Sequence, residues 1–436
     1  SLGLWTRRTL DGTLGGLVKK LVALAAGAAL AATALVAVPA TAAPSDPAPA
    51  AEPTPRALVK KSFSFFAKFT SRQTVTYGNP RGIGDLKITQ GTVTDTAGKK
   101  VGTLTTVMRV VAPSTKKDAE LRDTQSQIQL KDGQIFAQAV NEDPKDGPPK
   151  TLHIMPITGG TGAYASARGT LLMRPVGDKF LLAYDFFVEK DLKSQTFSFD
   201  NIVESAYDGS GTQGIGDVAL MRATGATDSY VLIATRAGDA RGVVTDAVDI
   251  EVVTDTGSLF ARTIARSKST TPQAATFAVL GGTGTLAGYR GELTLSANGR
   301  SITAKLAAPS GKAKPTTWFE DNGRGATVEV PGGTFLGAEG SMFKAADRKK
   351  KAGAFFASRI EYAEIDGVTP VLTMLEQEFT TGTMIVTGIT TSTGQDGTPV
   401  WRPVIGGTGD VVGASGQVSS VEQSAGLWRK TGRYWR

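Results

Sequence analysis

The sequence predicts an all-β chain of three tandem barrels, each built from eight antiparallel strands. Three observations carry that prediction. A glycine-rich motif recurs at a near-constant interval; short Val-, Ile-, Thr- and Phe-rich runs alternate with Gly, Asp, Asn and Pro turns; and helical period is almost absent. The motif reads ITGGTGAYASARG at 157–169, LGGTGTLAGYRG at 280–291 and IGGTGDVVGASG at 405–416. Its Gly-Gly-Thr-Gly begins at Gly159, Gly281 and Gly406, spaced 122 and 125 residues apart, and a further glycine follows at Gly169, Gly291 and Gly416. One such tetrapeptide is weak evidence, but three at this spacing define a repeat.

The chain opens with Arg7, Arg8, Lys19 and Lys20 ahead of an apolar run at 21–38 that ends in Ala40-Thr41-Ala42. A basic region, a hydrophobic region and an A-x-A site read as a signal peptide over 1–43, cleaved before Ala43, so the protein is expected to be secreted. The run is just long enough to span a bilayer, but its Ala and Gly content and the cleavage site favour export, leaving no membrane association afterwards. Arg7-Arg8 leaves open the general and the twin-arginine routes. The Pro- and Ala-rich segment 44–57 cannot build a core and reads as a stiff linker.

Barrel repeats are expected at 58–190, 191–310 and 311–436, the third the most divergent. Two further markers share the period. Gly133, Gly257 and Gly382 open the strands GQIFAQAV, GSLFARTI and GTMIVTGI; GIGD occurs at 82–85 and 214–217, with GAEG at 337–340 as the third counterpart. About eight strands of six residues fill each repeat, enough to close a barrel and remove exposed sheet edges. The tandem glycines are expected to supply positive φ angles and a bulge. They are not a phosphate cradle, since no helical pattern or Lys-Ser/Thr follows.

Composition narrows the chemistry. There is no cysteine and His153 is the only histidine, which excludes disulfides, thiol catalysis, multi-histidine metal centres and lipid attachment at a cysteine. No metal or cofactor is expected. The net charge of +8 falls to +5 without the signal region, too mild and dispersed to imply nucleic acid. His153 sits where the other repeats have Ala275 and Val400, and reads more simply as a barrel-wall residue than as a catalyst.

The strand entering Gly-Gly-x-Gly, the apolar pair after it and the later glycine resemble the allene oxide cyclase and dirigent barrel superfamily. Repeat one matches best, through GIGDLKITQGTVTDTAGKKVGTLTTVMRVV at 82–111 and KFLLAYDFFV at 179–188. The resemblance implies lipocalin-shaped barrels that bind small apolar molecules and often form trimers, so three repeats in one chain are expected to fold as a covalent pseudo-trimer.

It also implies site residues. Arg168 and Arg290, each just before the later glycine, stand where dirigent-type barrels place an arginine at the ligand pocket; Ser415 replaces them in repeat three. A solvent-facing arginine beside a turn is the competing reading. Asp200 and Glu204 are the candidate catalytic carboxylates, since an acid inside an apolar barrel has a raised pKa and can move a proton. Tyr164, Tyr184, Tyr289, Asp85 and Asp217 are candidate ligand-binding residues, although the tyrosines fit barrel packing equally well and the aspartates fit turn hydrogen bonding better. The expected function is binding of a small, mainly apolar molecule. If the protein is an enzyme, it is a cofactor-independent cyclase, isomerase or dirigent-like stereocontrol factor. A non-catalytic extracellular scaffold with filled barrels, and a glycan-binding or glycan-cleaving protein, remain the alternatives.

Overall fold

The computed structural model describes residues 58–78, 82–208, 215–240, 243–267, 274–391 and 397–436. The expected signal peptide, the linker and Gly214 lie outside the described residues. The fold is all-β, as three tandem antiparallel barrels. Barrel one closes in sequence order through β1 (Leu58–Val75), β2 (Leu86–Thr94), β3 (Lys100–Pro113), β4 (Ala119–Leu130), β5 (Gly133–Pro144), β6 (His153–Gly160), β7 (Arg168–Val176) and β8 (Lys179–Glu189). The long β1 pairs with both β2 and β8.

Barrel two contains β9 (Lys193–Ser198), β10 (Asn201–Tyr207), β11 (Val218–Thr224), β12 (Ser229–Ala240), β13 (Val243–Thr254), β14 (Gly257–Ser267), β15 (Ala275–Gly282), β16 (Arg290–Leu295) and β17 (Ser301–Ala307). The sequence predicts one opening strand here, but it is broken. β9 pairs with β17 and β10 with β11, while Phe199 N donates to Arg300 O at 2.8 Å and Asp200 N to Thr224 O at 2.9 Å across the break. The sheet therefore curls until its two edges are the halves of one strand.

Barrel three closes through β18 (Lys314–Val330), β19 (Gly333–Phe343), β20 (Lys351–Tyr362), β21 (Val371–Phe379), β22 (Gly382–Thr390), β23 (Val400–Gly407), β24 (Ser415–Ser424) and β25 (Leu427–Trp435). Its GAEG is not the counterpart of GIGD. Residues 337–340 lie inside β19, whereas 82–85 form the turn before β2. A bulge in the opening strand pairs Gly91 with Phe69 and Gly340 with Asn322, and counting back from it makes Gly333 the counterpart of Gly84.

Many strands are apolar on both faces because both faces are buried. In β5, Ile135 and Ala137 point into barrel one, whereas Phe136 joins a core shared by all three barrels. Phe260 of β14 and Ile385 of β22 repeat the arrangement, flanked by Leu259 and Ala261 and by Met384 and Val386. Burial of each such aromatic or branched side chain contributes about 1.5–3 kcal/mol.

The first motif glycine is a point of close approach between barrels. A Cβ on Gly159 would lie 2.6 Å from Leu280 Cδ2, one on Gly281 2.8 Å from Pro403 Cβ, and one on Gly406 3.0 Å from Pro156 Cβ. The contacts run in a cycle: one to two, two to three, three to one. Neither Gly159 nor Gly160 has positive φ; that conformation falls on the fourth motif position, Gly162, Gly284 and Gly409, at 59°, 61° and 58°.

One seam of each barrel is only partly zipped. In barrel one, β5 and β6 pair at Ile135↔Gly160, Phe136↔Gly159 and Ala137↔Ile157, and then splay. β14–β15 and β22–β23 repeat this, with pairing that stops at Arg262↔Ala278 and Val386↔Val404. Carboxylates from neighbouring barrels take up backbone donors that the splaying releases. Val140 N donates to Glu376 Oε2 at 2.5 Å, and Ile389 N to Glu251 Oε2 at 3.3 Å. Burial pushes both carboxyl groups up to about 8.

Candidate functional site

Splaying of β5 from β6 leaves a loop, 145–152, at one end of barrel one, beside the 177–178 turn. At that end lies a cavity of about 520 Å³. Its apolar side is Phe69 of β1, Met108 of β3, Met173 of β7 and Phe180 of β8, with Gly147, Pro148 and Pro149 at the rim. A volume of this size is typical of small-molecule sites.

Inward-pointing polar residues build the facing wall. Lys87 and Arg122 both bind Glu120, Arg122 through Nε at 2.6 Å. Arg122 Nη1 lies 3.5 Å from Asp143 Oδ2, and His153 Nε2 lies 3.1 Å from Asp143 Oδ1. All five side chains are buried, and Arg122, Asp143 and His153 line the cavity. Burial lowers the Lys87 pKa, against the pull of Glu120. The cations also hold the mouth loop: Lys145 O accepts from Lys87 Nζ at 3.0 Å, Arg122 Nη2 at 3.3 Å and Arg72 Nη2 at 3.4 Å, and Pro144 O accepts from Arg122. A carboxylate within ion-pair distance of both an arginine and an imidazole, beside an apolar cavity, is an arrangement able to move a proton on a confined molecule.

None of the nine residues singled out from the sequence lines this cavity. Arg168 and Arg290 lie at the junction of the barrels. Arg290 donates to Thr158 O of barrel one and, at 2.7 and 2.8 Å, to Ile405 O and Ala414 O of barrel three. Burial pushes its pKa down to about 9, which leaves it charged at neutral pH. Arg168 Nη2 stands 3.6 Å from Glu189 Oε1, and burial lowers its pKa too.

Tyr164 belongs to the 161–167 turn at the opposite end of barrel one, packed against Phe63 and Phe186 at 6.1 and 6.2 Å. Tyr184 packs on Phe63 at 5.3 Å in the same core, and burial raises its pKa. Asp85 Oδ1 accepts from Tyr77 N at 3.1 Å, and burial raises its carboxyl pKa as well. In barrel two, Asp217 is buried, Asp200 is exposed at the strand break, and Tyr289 packs against the core. Glu204 is half-buried on β10, and burial pushes its pKa up to about 7.

Sequence reasoning passed over Arg122, Asp143, Thr89 and Thr106, and read His153 as wall. The available signal was polar residues at inward positions of strands otherwise apolar on that face. It is visible only once the inward register is known.

A family model described as "Allene oxide cyclase barrel like domain" matches residues 67–186. A search of the curated proteins returned no match. Similar solved structures include "Pyocyanin demethylase" (24% identity, 29% of this chain, 99% of that chain, TM-score 0.25). AbnU, titled an exo-specific intermolecular Diels-Alderase, is 15% identical over 30% of this chain and 99% of its own, with TM-score 0.25. The pterocarpan synthase dirigent protein GePTS1 is 17% identical over 32% of this chain and 88% of its own, with TM-score 0.23. The match to the allene oxide cyclase barrel like domain thus covers residues 67–186, essentially the whole of barrel one.

Proposed function

We propose that barrel one holds one small, mainly apolar molecule and fixes its conformation, and that barrels two and three brace it. The observation that carries this reading is the cavity of about 520 Å³, with Phe69, Met108, Met173 and Phe180 facing Arg122, Asp143 and His153. An apolar wall binds the body of a ligand by burial, and a fixed ionisable wall orients it. The chemistry that suits this site is cofactor-independent cyclisation or isomerisation, with the Asp143–His153 pair as proton carrier and the barrel excluding water. The signal-like segment at 1–43 supports action outside the cell.

The bracing role rests on filled interiors. Phe197, Tyr230, Phe277 and Leu293 fill barrel two. In barrel three, Trp318, Met342 and Phe355 surround a buried Lys430–Glu320 pair at 2.9 Å. Native mass spectrometry of the protein from its own secretion medium tests the reading. A reproducible small-molecule adduct, lost when Met108→Trp fills the cavity, supports it. A clean mass after exposure to lipophilic compounds would leave only the scaffold role.

A further inference from the structure

Thr89 of β2 and Thr106 of β3 are direct register partners, so their side chains stand side by side on one face of the sheet. Both line the cavity of barrel one, both are more than nine-tenths buried, and neither hydroxyl oxygen has a hydrogen-bond partner. A buried hydroxyl without a partner is an unfavourable state that native structures rarely retain without a reason.

The other barrels show that the fold does not require hydroxyls here. Counting from Asp85 and Asp217, barrel two places Met221 and Leu232 at this register pair, and both belong to its filled core. Counting from the opening-strand bulge, barrel three places Ala338 and Ala357 there. Two adjacent hydroxyls occur at this position only in the barrel with the cavity.

We infer that Thr89 and Thr106 form a two-point hydrogen-bonding anchor for an oxygen on the bound molecule. The ligand class is then a mainly apolar molecule with at least one carbonyl or hydroxyl oxygen. Each threonine carries a methyl and a hydroxyl on Cβ, so rotation about χ1 turns the hydroxyl from the wall toward the lumen when an oxygen arrives. The apolar body packs on Phe69, Met108, Met173 and Phe180. The inference rests on barrel one being a ligand site, and it names which molecules that site selects.

The test is fluorescence titration of the full chain with pyrene, 1-hydroxypyrene and 1-pyrenecarboxaldehyde. The unaltered protein should bind both oxygenated probes more tightly than pyrene. The double variant Thr89→Val, Thr106→Val keeps the side-chain shape and should lose about tenfold of its affinity for them while binding pyrene as well or better. Thr89→Ser, Thr106→Ser keeps the hydroxyls and should retain the preference, which guards against a folding defect in the valine variant. If the unaltered protein binds pyrene but shows no preference, or the valine variant keeps one, the anchor is overturned and the ligand site stands. If the unaltered protein binds none of the three, the ligand site falls and the anchor with it.

Discussion

The Val140 amide of barrel one donates to the Glu376 carboxyl of barrel three, so one barrel provides the acceptor that the splayed seam of another lacks. Glu251 does the same for Ile389. Barrel one carries Gln127 at the matching position, six residues before Gly133 as Glu251 and Glu376 precede Gly257 and Gly382.

That pattern sets a pH dependence. Burial raises both glutamates from 4.5 to about 8, so between those values the folded chain binds more protons than the unfolded one. Their contribution to stability is full below pH 4.5, declines as pH rises toward 8, and is level above it. Glu376→Gln and Glu251→Gln keep an acceptor oxygen without a charge. Each should raise stability at pH 8 by roughly 1–2 kcal/mol, a few degrees in Tm, and flatten the Tm profile from pH 5 to 8 by calorimetry. A parallel profile in both variants would show that the carboxyls stay ionised.

Gly281→Ala should destabilise by about 1–3 kcal/mol, because its Cβ would meet Pro403, a ring that cannot swing aside. Gly177→Ala is the control: it sits at φ 60° in open space, so it carries backbone strain alone. Urea titration measures both, and an unchanged midpoint for Gly281→Ala would mean that Gly281 is not held by crowding.

Arg290→Met should cost about 3–5 kcal/mol, since it leaves three buried carbonyls without their donor. Arg290→Lys should restore little, because an ammonium cannot reproduce the planar fork. Pyrene affinity of whichever variant folds should be unchanged, as Arg290 is remote from the cavity. A folded variant that fails to bind pyrene would restore the arginine as a ligand residue.

Arg122→Met removes donors to Pro144 and Lys145 and leaves the Glu120 and Asp143 carboxylates short of a partner. The mouth loop should then open more often, giving faster cleavage at Lys145 or Lys150 by a lysine-specific protease and a several-fold faster ligand release. Unchanged cleavage would mean that Lys87 and Arg72 hold the loop without it.

The repeat and the all-β class were legible because three copies of one motif at a fixed interval constrain the chain, and alternating apolar runs between turn residues admit few other folds. The site was less legible, for a physical reason. Segments such as β8 and β5 are apolar on both faces, so the sequence pattern does not say which residues face the lumen. Arg168 and Arg290 stand out in the alignment of repeats because they serve the junction that the repeats share. His153 stood out as the sole histidine, but its partner Asp143 is ten residues away across a loop, in a seam where no backbone ladder marks the pairing.

Residues 168, 290 and 415 are equivalent, yet only Arg290 reaches both neighbouring barrels, and the third place belongs to the small, fully enclosed Ser415. A ring of three identical barrels would bring three guanidinium groups to one spot, where like charge and bulk would drive them apart. Joining the barrels covalently lets each copy differ, so that two arginines in unlike roles, one serine and one open cavity coexist in one molecule. No single barrel, expressed three times over, is expected to reassemble this junction.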